Sequence, residues 1–317
     1  MFRILLTEPL DADAEGRLER AATLIRAPQR DEDTLCTVVA DCDALVVRTA
    51  TRVTRRVLEA GRRLRVVGVA GVGVDRVDVG AAQDLGVAVL STPDAASDAV
   101  ADLTIAFMLQ LLRPISRLAE EYRQGRFAAA RALPHGRELR ELTIGIVGMG
   151  RIGSRVGHRC AAGFGARVLY NDIVPVGPFD FAAEAVDKDT LWSASGVITL
   201  HVPLTEQTRG LVNAAVLERL RPTSLLINTA RGGVVDTAAL TAALQAGRIS
   251  GAALDVVEPE PLPPDHPLFS CERCILTPHI AARTAGGLRR MYAVADQVIA
   301  FLEGGSARHV VRGPDGL

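Results

Sequence analysis

Lysine is almost absent from this sequence of 317 residues, since Lys188 is its only example. Arginine therefore carries nearly all of the basic charge, which we interpret as a codon bias of the genome. A single arginine is for that reason a weak indication of function. The formal net charge is −1, so no excess of charge indicates a nucleic acid or an anionic membrane as a partner.

Cysteine is also scarce. The five residues are Cys36, Cys42, Cys160, Cys271 and Cys274. An odd number in a chain of this length argues against a secreted, disulfide-bonded scaffold. The C-x-x-C pair formed by Cys271 and Cys274 has no second pair with which to complete a zinc site and stands before a strand-like run. We therefore predict no metal site.

Long apolar runs are missing as well. None approaches the roughly 20 residues that span a bilayer, and the N-terminal run becomes acidic at Glu8, too early for a signal peptide. An apolar content of 48% and this length are typical of an ordinary globular protein with two domains, each able to bury a core. We predict a cytoplasmic protein.

The most informative stretch is an apolar run that ends in G-x-G-x-x-G at residues 148–153 and passes into residues with helical spacing. This order predicts a strand, a tight turn and a helix. Gly148 permits the turn, Gly150 lets a pyrophosphate approach the backbone, and Gly153 lets the helix pack close to the strand. The phosphates would lie on the exposed amides at the positive end of the helix.

An acidic residue stands where such a fold would bind the adenosine ribose. Asp172 ends a second apolar run about 20 residues beyond the glycine motif, the position whose carboxylate accepts hydrogen bonds from the ribose hydroxyls. No arginine follows it closely to receive a 2′-phosphate, so we predict NAD rather than NADP. The alternative is an ordinary glycine-rich turn with a helix-capping aspartate.

Strand-like and helix-like segments alternate along the whole chain, which predicts parallel sheets with right-handed crossovers. The predicted strands are 2–7, 23–27, 44–48, 64–70, 87–90, 143–147, 167–171, 197–202, 224–228, 251–257 and 274–278. The predicted helices are 11–22, 52–60, 98–123, 151–162, 188–195, 213–219, 236–246 and 285–303, with 125–141 as a loop. Pro114 should kink or break the long third helix. We predict an α/β protein with two doubly wound parallel-sheet domains, one of them a Rossmann NAD-binding domain, and a cleft between them.

Polar residues follow the strands of the second half where each strand ends. They include His201, Arg231, Asp255, Glu260 and His279. Ligands of open α/β sheets bind at this edge, so a histidine, an arginine and carboxylates should converge where the nicotinamide lies.

The chemistry of these groups suits the joint movement of a hydride and a proton. Histidine supplies an acid/base near neutral pH, a neighbouring carboxylate stabilises imidazolium, and an arginine can hold a substrate carboxylate and polarise a keto oxygen. Taken alone, His279 could instead be a strand-end histidine that caps a loop. His201 is better suited to lining the cofactor pocket than to acid/base work.

Five stretches resemble the D-2-hydroxyacid dehydrogenase family. They begin at Gly148, His201, Asn228, Gly251 and Thr277 and occur in the family's order. The resemblance implies that Arg231, Glu260 and His279 are catalytic, that Glu260 pairs with His279, and that Glu258 is an ordinary loop residue. It also implies that residues 1–97 and 284–317 form the substrate domain and residues 98–283 the NAD-binding domain.

The resemblance further implies a set of cofactor-binding residues: Thr104, Gly148, Gly150, Arg151, Ile152, Gly153, Asp172, His201, Val202, Pro203, Thr208, Thr229, Ala230, Arg231, Asp255 (meeting the nicotinamide carboxamide) and His279. Arg48, Val72 and Gly73, with Arg231, would bind the substrate, because the segments around them look most like those of 3-phosphoglycerate dehydrogenases. Arg48 could also be a merely solvated arginine.

One segment departs from that pattern. Residues 92–102 lack the usual asparagine, carry Asp98, and have Asp102 where glutamate is usual, so acidic charge in a cleft-facing hinge argues against a phosphorylated substrate. We predict an NAD-dependent dehydrogenase of a small D-2-hydroxy or 2-keto acid. The alternatives are a glyoxylate or hydroxypyruvate reductase and a non-catalytic, NAD-sensing protein like the corepressors that share this fold.

The assembly expected is a homodimer. The apolar segment from Asp98 to Arg117, with the loop up to Glu141, offers more apolar surface than one domain face needs. The resemblance implies that the two-fold dimer forms through the cofactor domains.

Overall fold

The computed structural model describes residues 1–306 and 309–311. The chain forms two compact units, one of residues 1–96 with the chain from Arg283 onward, the other of Ser97–Ala282. The end of the predicted range 284–317, namely residues 307, 308 and 312–317, lies outside the described residues. Each unit contains one parallel sheet, which confirms the predicted α/β fold class.

The first unit is built on a five-stranded sheet of order β2-β1-β3-β4-β5. Its elements are β1 (Phe2–Leu6), α1 (Ala12–Ala21), β2 (Ala22–Arg26), α2 (Glu32–Val39), β3 (Ala44–Val47), α3 (Arg55–Ala60), β4 (Val66–Val69), α4 (Val79–Asp84) and β5 (Ala88–Leu90). Every residue of β3 and β4 is buried, because a parallel sheet covered on both faces needs uninterrupted apolar strands.

Two short helices of this unit, α2 and α4, were absent from the predicted elements. Asp31 caps the first by accepting a hydrogen bond from Thr34 N at 2.9 Å, and Asp78 caps the second by accepting from Ala81 N at 2.8 Å. An aspartate before a short apolar stretch is the signal that could have located them.

The second unit is built on a seven-stranded sheet of order β12-β11-β10-β9-β6-β7-β8. Its helices are α5 (Ser97–Leu112), α6 (Ile115–Arg123), α7 (Phe127–Ala132), α8 (Arg151–His158), α9 (Lys188–Ala194), α10 (Ala214–Arg219) and α11 (Thr237–Gln245). Its strands are β6 (Thr143–Val147), β7 (Arg167–Asn171), β8 (Glu184–Ala185), β9 (Val197–Leu200), β10 (Leu225–Asn228), β11 (Gly251–Leu254) and β12 (Cys274–Leu276). A π-helical turn, Arg159–Gly163, extends α8.

The order of this second sheet reverses between β6 and β9, which pair with each other although β7 and β8 lie between them in sequence. From β6 the chain continues outward to β7, then returns to β9 and proceeds to the opposite edge. The crevice at such a reversal, outside the carboxyl ends of the strands, is where open α/β sheets bind their ligands.

The predicted break at Pro114 is confirmed, since α5 ends at Leu112 and α6 begins at Ile115. The loop predicted over 125–141 is wrong in part, because residues 127–132 form α7. Among the described residues, no single helix has the length and apolarity needed to cross a membrane. Helices α5 and α6 meet both criteria only when taken together, and they are bent by 59° at their break.

The final predicted helix is two helices, α12 (Ala285–Tyr292) and α13 (Val294–Leu302), and both belong to the first unit. Helix α13 packs directly on β4. A Cβ placed on Gly68 of that strand would lie 2.5 Å from Val298 Cγ2, so only glycine allows this close approach. Periodicity alone could not assign the helix to one of the two units, because every core helix has an apolar face of this kind.

Candidate active site

The glycine motif forms a tight turn between β6 and α8, and each glycine has a distinct steric reason. Gly148 has a φ of +90°, and a Cβ there would lie 2.7 Å from the carbonyl oxygen of His201. A Cβ on Gly153 would collide with the Gly148 carbonyl. At Gly150, the N-cap of α8, a Cβ would meet no heavy atom of the described residues within 4 Å. The turn therefore leaves open space over the helix N-terminus, as a pyrophosphate requires.

Asp172 lies against this turn. Its Oδ2 accepts a hydrogen bond from Met149 N at 2.7 Å, and its Oδ1 accepts a longer one from Val174 N at 3.4 Å. The two residues that follow it, Ile173 and Val174, are apolar and exposed. No basic side chain therefore stands in the two positions after Asp172, where a 2′-phosphate would need one.

The first helical residues behind the turn are Arg151 and Ile152. The carbonyl oxygen of Arg151 accepts hydrogen bonds from Arg155 Nη1 and Ser154 Oγ, and Ile152 packs on the core of the second unit. Both predicted cofactor residues thus belong to the N-terminal turn of α8.

The acids at the start of α5 are paired with arginines of α8 and of the π-helical turn that extends it. Asp98 Oδ1 lies 3.1 Å from Arg155 Nε and 3.2 Å from Arg159 Nη2, while Asp102 Oδ1 lies 3.1 Å from Arg159 Nη2. The hydrogen bond from Arg159, with the positive charge of Arg155, lowers the pKa of Asp98. Their charge is therefore balanced within the second unit, which weakens the argument against a phosphorylated substrate.

His201 follows β9 and is neutral. Its Nε2 lies 2.9 Å from Thr199 Oγ1, its Nδ1 is buried with no hydrogen-bond partner among the described residues, and burial lowers the pKa to about 3. A ring that stays uncharged at neutral pH is suited to lining a pocket and not to acid/base work.

The loop after His201 is held by Thr208. Its hydroxyl donates to the carbonyl oxygen of Pro203 at 2.6 Å and accepts from Thr205 N at 2.8 Å. Val202 contacts the turn, since its Cγ1 would lie 2.8 Å from a Cβ on Gly148. The predicted cofactor residues 201–203 therefore lie beside the glycine motif.

Arg231 is positioned by Asn228, the last residue of β10. Asn228 is 1% exposed; its Oδ1 accepts from Ala230 N at 3.0 Å and its Nδ2 donates to the Arg231 carbonyl oxygen at 2.9 Å. The amide thus closes the turn in which Arg231 Nη1 donates to the carbonyl oxygen of Ala230 at 2.7 Å.

Thr104 and Thr229 connect α5 to the same turn. Thr104 Oγ1 donates to the Val100 carbonyl oxygen at 2.8 Å, so it accepts from Thr229 Oγ1, 3.0 Å away. Thr104 is completely buried. Its hydroxyl therefore acts on the turn through Thr229.

Asp255, directly after β11, organises the loop that follows β12. Its Oδ1 accepts from Thr277 Oγ1 at 2.6 Å and Ile280 N at 2.8 Å, its Oδ2 accepts from Ala281 N at 2.8 Å, and its carbonyl oxygen accepts from His279 N at 2.9 Å. At 1% exposure, this carboxylate is directed at residues 277–281.

The structure brings His279 and Glu260 together. His279 Nδ1 lies 2.8 Å from Glu260 Oε1, with the two side chains 34% and 45% exposed. His279 has a φ of 52°, which costs a non-glycine residue about 1–3 kcal/mol and persists only where neighbouring contacts enforce it. The hydrogen bonds to Asp255 supply that constraint.

Two glycines let the loop that carries Glu260 pack on the turn that carries Arg231. A Cβ on Gly232 would collide with the carbonyl group of Val257, and one on Gly233 would lie 2.6 Å from Glu258 Oε2. The Glu258 carboxylate lies 2.9 Å from Arg209 Nη1. The two glutamates of this loop therefore have different partners, and Glu260 is the one that meets the histidine.

In the first unit, Arg48 is held at the end of β3. Its Nη1 donates to the Pro9 carbonyl oxygen at 3.1 Å, its guanidinium lies 5.5 Å from the centre of the Tyr292 ring, and its backbone N donates to Glu8 Oε1 at 3.2 Å. Glu8 is 8% exposed and also accepts from the backbone N and hydroxyl of Thr51. Arg48 is thus an oriented side chain, in contrast to the alternative of a merely solvated one.

The other predicted substrate residues of this unit, Val72 and Gly73, follow β4 and are half-buried. Like Arg48, they come shortly after the carboxyl end of a strand of the same sheet. This is the edge at which α/β sheets bind ligands.

Several residues that shape the site were absent from the predicted set. Asn228, Gly232, Gly233 and Thr277 shape the site without being obvious acids, bases or anion ligands, and Arg209 pairs with Glu258. An asparagine at a strand end and a glycine pair directly after an arginine are the local signals that could have found them.

A comparison with known proteins places this architecture among described families. The model of the D-isomer specific 2-hydroxyacid dehydrogenase, NAD binding domain, matches residues 105–281. The hydroxypyruvate reductase of Thermotoga maritima is 38% identical over 92% of this chain and 94% of its own length. The D-3-phosphoglycerate dehydrogenase of Methanocaldococcus jannaschii is 39% identical over 99% of this chain, which spans 60% of that protein's length. A similar solved structure is that of the NADPH-dependent glyoxylate/hydroxypyruvate reductase of Sinorhizobium meliloti with NADP and malonate, with a TM-score of 0.90 and 32% identity over 99% of this chain and 98% of that one.

Proposed function

This chain belongs to the D-isomer specific 2-hydroxyacid dehydrogenase family, and on that premise we propose that it transfers a hydride between NAD(H) and C2 of a small 2-hydroxy or 2-keto acid. The family makes it an oxidoreductase that acts on CH–OH groups with a nicotinamide cofactor. The observation that carries the proposal is the 2.8 Å contact of His279 with Glu260. It lies at the same edge of the sheet as the Arg231 turn and the glycine motif.

We assign the second unit to the cofactor and the first unit to the substrate. The family model lies within the second unit. The residues present suit a dinucleotide, because space is open over Gly150 at the N-terminus of α8 and because Asp172 offers an acceptor to ribose hydroxyls. The cofactor, when bound, supplies or accepts the hydride. His201, Val202, Pro203 and Asp255 would line or support its pocket.

The proton follows a separate path through this chain's own residues. In reduction of a 2-keto acid, His279 gives a proton from Nε2 to the C2 oxygen, and Glu260 stabilises the imidazolium from the other side of the ring. Arg231 holds the substrate carboxylate and polarises the keto oxygen. In oxidation the same groups act in reverse order.

The substrate we favour carries a second acidic group, as in a 3-phosphoglycerate dehydrogenase. Arg48 supports this, since it is oriented by Pro9 and Tyr292 at the carboxyl edge of the first sheet, with the backbone amides of Val72 and Gly73 as further donors. The alternative is reduction of glyoxylate or hydroxypyruvate. The relatives named hydroxypyruvate reductase and D-3-phosphoglycerate dehydrogenase are similar to this chain to about the same degree, 38% and 39% identical.

A panel of 2-keto and 2-hydroxy acids, assayed with NADH, NADPH, NAD and NADP by absorbance of the reduced nicotinamide, tests the proposal. It should include glyoxylate, hydroxypyruvate and its phosphorylated form. Turnover of at least one acid, with NAD(H) preferred, is expected. A folded, pure protein that turns over none of them would contradict the proposal.

We also propose a cytoplasmic homodimer. All five cysteines are free thiols, as in a reducing compartment. Helices α6 and α7 have no buried residue and leave Ile115, Tyr122 and Phe127 at least 58% exposed, an apolar surface suited to a two-fold contact between cofactor units. A monomeric mass by light scattering at micromolar concentration would contradict the dimer.

A further inference from the structure

Three loops of the second unit contact one another, and two of them carry proposed catalytic groups. The first, residues 203–212, carries Arg209; the second, after β10, carries Arg231; the third, after β11, carries Glu260. The first two are joined by backbone hydrogen bonds, from Gly210 N to the Gly233 carbonyl oxygen at 2.8 Å and from Val212 N to the Val234 carbonyl oxygen at 3.0 Å. The first loop is therefore bonded directly to the second.

Glu258 ties the third loop to the first loop and to the start of α11, which follows the second loop. Arg209 Nη1 lies 3.1 Å from its Oε1 and 2.9 Å from its Oε2, and Thr237 Oγ1 donates to its carbonyl oxygen at 2.9 Å. The ion pair lies over Gly233, where a Cβ would be 2.6 Å from Glu258 Oε2 and 3.0 Å from Arg209 Nη1. Any larger residue at 233 would have to displace the pair.

We propose that Arg209 and Glu258 are positioning residues that hold the Glu260 loop against the Arg231 turn. They thereby keep the Glu260 carboxylate on His279 at the position where Arg231 binds the substrate. The inference rests on the proposed function of Arg231, Glu260 and His279. Glu258 stands two residues before Glu260. The contact of the Glu258 side chain with Arg209 therefore helps to fix the backbone that places the Glu260 carboxylate. Neither Arg209 nor Glu258 bonds to His279.

The expected effect is on geometry and hardly on stability. Arg209 and Glu258 are 57% and 50% exposed, and exposed ion pairs contribute little to the stability of the fold. Catalysis is far more sensitive, because a displacement of about 1 Å can lower a rate by about 10²-fold. Loss of the pair should therefore reduce turnover in a protein that remains folded.

The test compares Glu258→Gln, Arg209→Met and Arg209→Lys with the wild type in reduction of the best 2-keto acid with NADH. The first two should lower kcat/KM by about 5- to 100-fold. Their double variant should be no worse than either single one, since both remove the same contact. Arg209→Lys should retain most of the wild-type kcat/KM. A single nitrogen of Arg209 contacts both carboxylate oxygens of Glu258, and the one nitrogen of a lysine side chain can do the same.

The matched control is Glu184→Gln. Glu184 pairs with Arg167 at 2.7 Å in the same unit, with exposures of 58% and 62%, but contacts neither catalytic loop. This variant should retain the activity of the wild type. A loss equal to that of Glu258→Gln would show that any broken ion pair has this effect.

The separation of kcat from KM distinguishes positioning from a merely structural role. Glu260 is bonded to the ring of His279. If Glu258→Gln moves Glu260 off that ring, kcat should fall, as it should in Glu260→Gln, while the KM for the 2-keto acid changes little.

The outcomes distinguish the two ideas. A wild type that reduces none of the tested acids overturns the proposed function itself. An active wild type whose Glu258→Gln and Arg209→Met variants keep its kcat/KM, or lose it only through a raised KM, overturns the positioning role alone.

Discussion

His279 Nδ1 and Glu260 Oε1 are 2.8 Å apart, and this contact assigns the two ring nitrogens to different tasks. An ionised carboxylate can only accept a hydrogen bond, so Nδ1 carries a proton and donates it. Nε2 is then the nitrogen that exchanges a proton with the substrate. The Asp255 hydrogen bonds to residues 277–281 hold the backbone in the left-handed conformation that this orientation needs.

The first prediction concerns this pair. Glu260→Gln removes the charge that stabilises the imidazolium but keeps the shape of the side chain, so kcat for reduction should fall while the KM for the 2-keto acid changes little. His279→Ala should lose about 10²- to 10⁴-fold, and Arg231→Ala should mainly abolish productive substrate binding. If Glu260→Gln keeps the kcat of the wild type in ketoacid reduction, the pairing has no role in the proton transfer.

The sequence predicted the fold class because its apolar strands and its glycine motif are local signals, each carried by a few consecutive residues. The alternating pattern located β6, α8 and β7. Asp172, the acidic residue after β7, accepts a hydrogen bond from Met149 N of the glycine turn. Proline likewise marked the break between α5 and α6 correctly, since its ring excludes a continuous helix.

Contacts between loops could not be predicted in this way. That Asp255 accepts hydrogen bonds from residues 277–281, and that Glu258 faces Arg209, depends on segments 20 to 50 positions apart. Spacing along one chain does not specify which carboxylate of a loop turns to which partner. Short helices such as α2 and α7 were missed because one or two turns give too few positions for a period to be seen.

The second prediction concerns cofactor choice. Wild type should prefer NADH, because the Asp172 carboxylate accepts hydrogen bonds from ribose hydroxyls and repels a 2′-phosphate. Asp172→Asn can still accept from Met149 N and so tests the charge alone, whereas Asp172→Ala also releases the turn. Both variants should reduce the preference for NADH over NADPH, by about 10- to 150-fold at most, which is the range for one charged hydrogen bond. The measurement is the ratio of kcat/KM for NADH and NADPH, and equal values in the wild type would refute the assignment.

The third prediction is a pH dependence of stability from His201. Its pKa is lowered by burial to about 3 from an ordinary value of 6.5, so as pH falls His201 takes up a proton in the unfolded chain before it does so in the folded protein. Its contribution to the free energy of unfolding is constant above pH 6.5 and is lost progressively between pH 6.5 and 3. From pH 7 to pH 5 the loss should be about 2 kcal/mol.

The variant that isolates this effect is His201→Asn, which cannot be protonated and can still meet Thr199. Urea unfolding followed by circular dichroism, at one protein concentration and at pH 7 and 5, gives the free energy of unfolding of both proteins. The wild type should lose more stability than the variant over this range. An equal loss in both proteins would show that His201 takes up its proton while folded.

The fourth prediction tests whether the first unit selects substrates with a second acidic group. Arg48→Gln should lower kcat/KM for a phosphorylated 2-keto acid by about 10- to 150-fold, the worth of one charged hydrogen bond, and should affect glyoxylate much less. Tyr292→Leu removes the ring 5.5 Å from the guanidinium, and should show the same selectivity with a smaller loss, about 2- to 30-fold. Tyr292→Phe keeps the ring and should behave as the wild type.

The same unit offers a matched control, because Arg65 lies over Phe301 at 5.9 Å and neither residue belongs to the proposed substrate site. Phe301→Leu should therefore leave the ratio of the two substrates unchanged. A raised KM with little change in kcat is expected for Tyr292→Leu, since the ring orients an arginine that binds substrate and takes no part in the proton transfer. If Arg48→Gln lowers kcat/KM equally for both substrates, Arg48 does not bind a second acidic group. Reduction of a small acid such as glyoxylate then becomes the better description of the reaction.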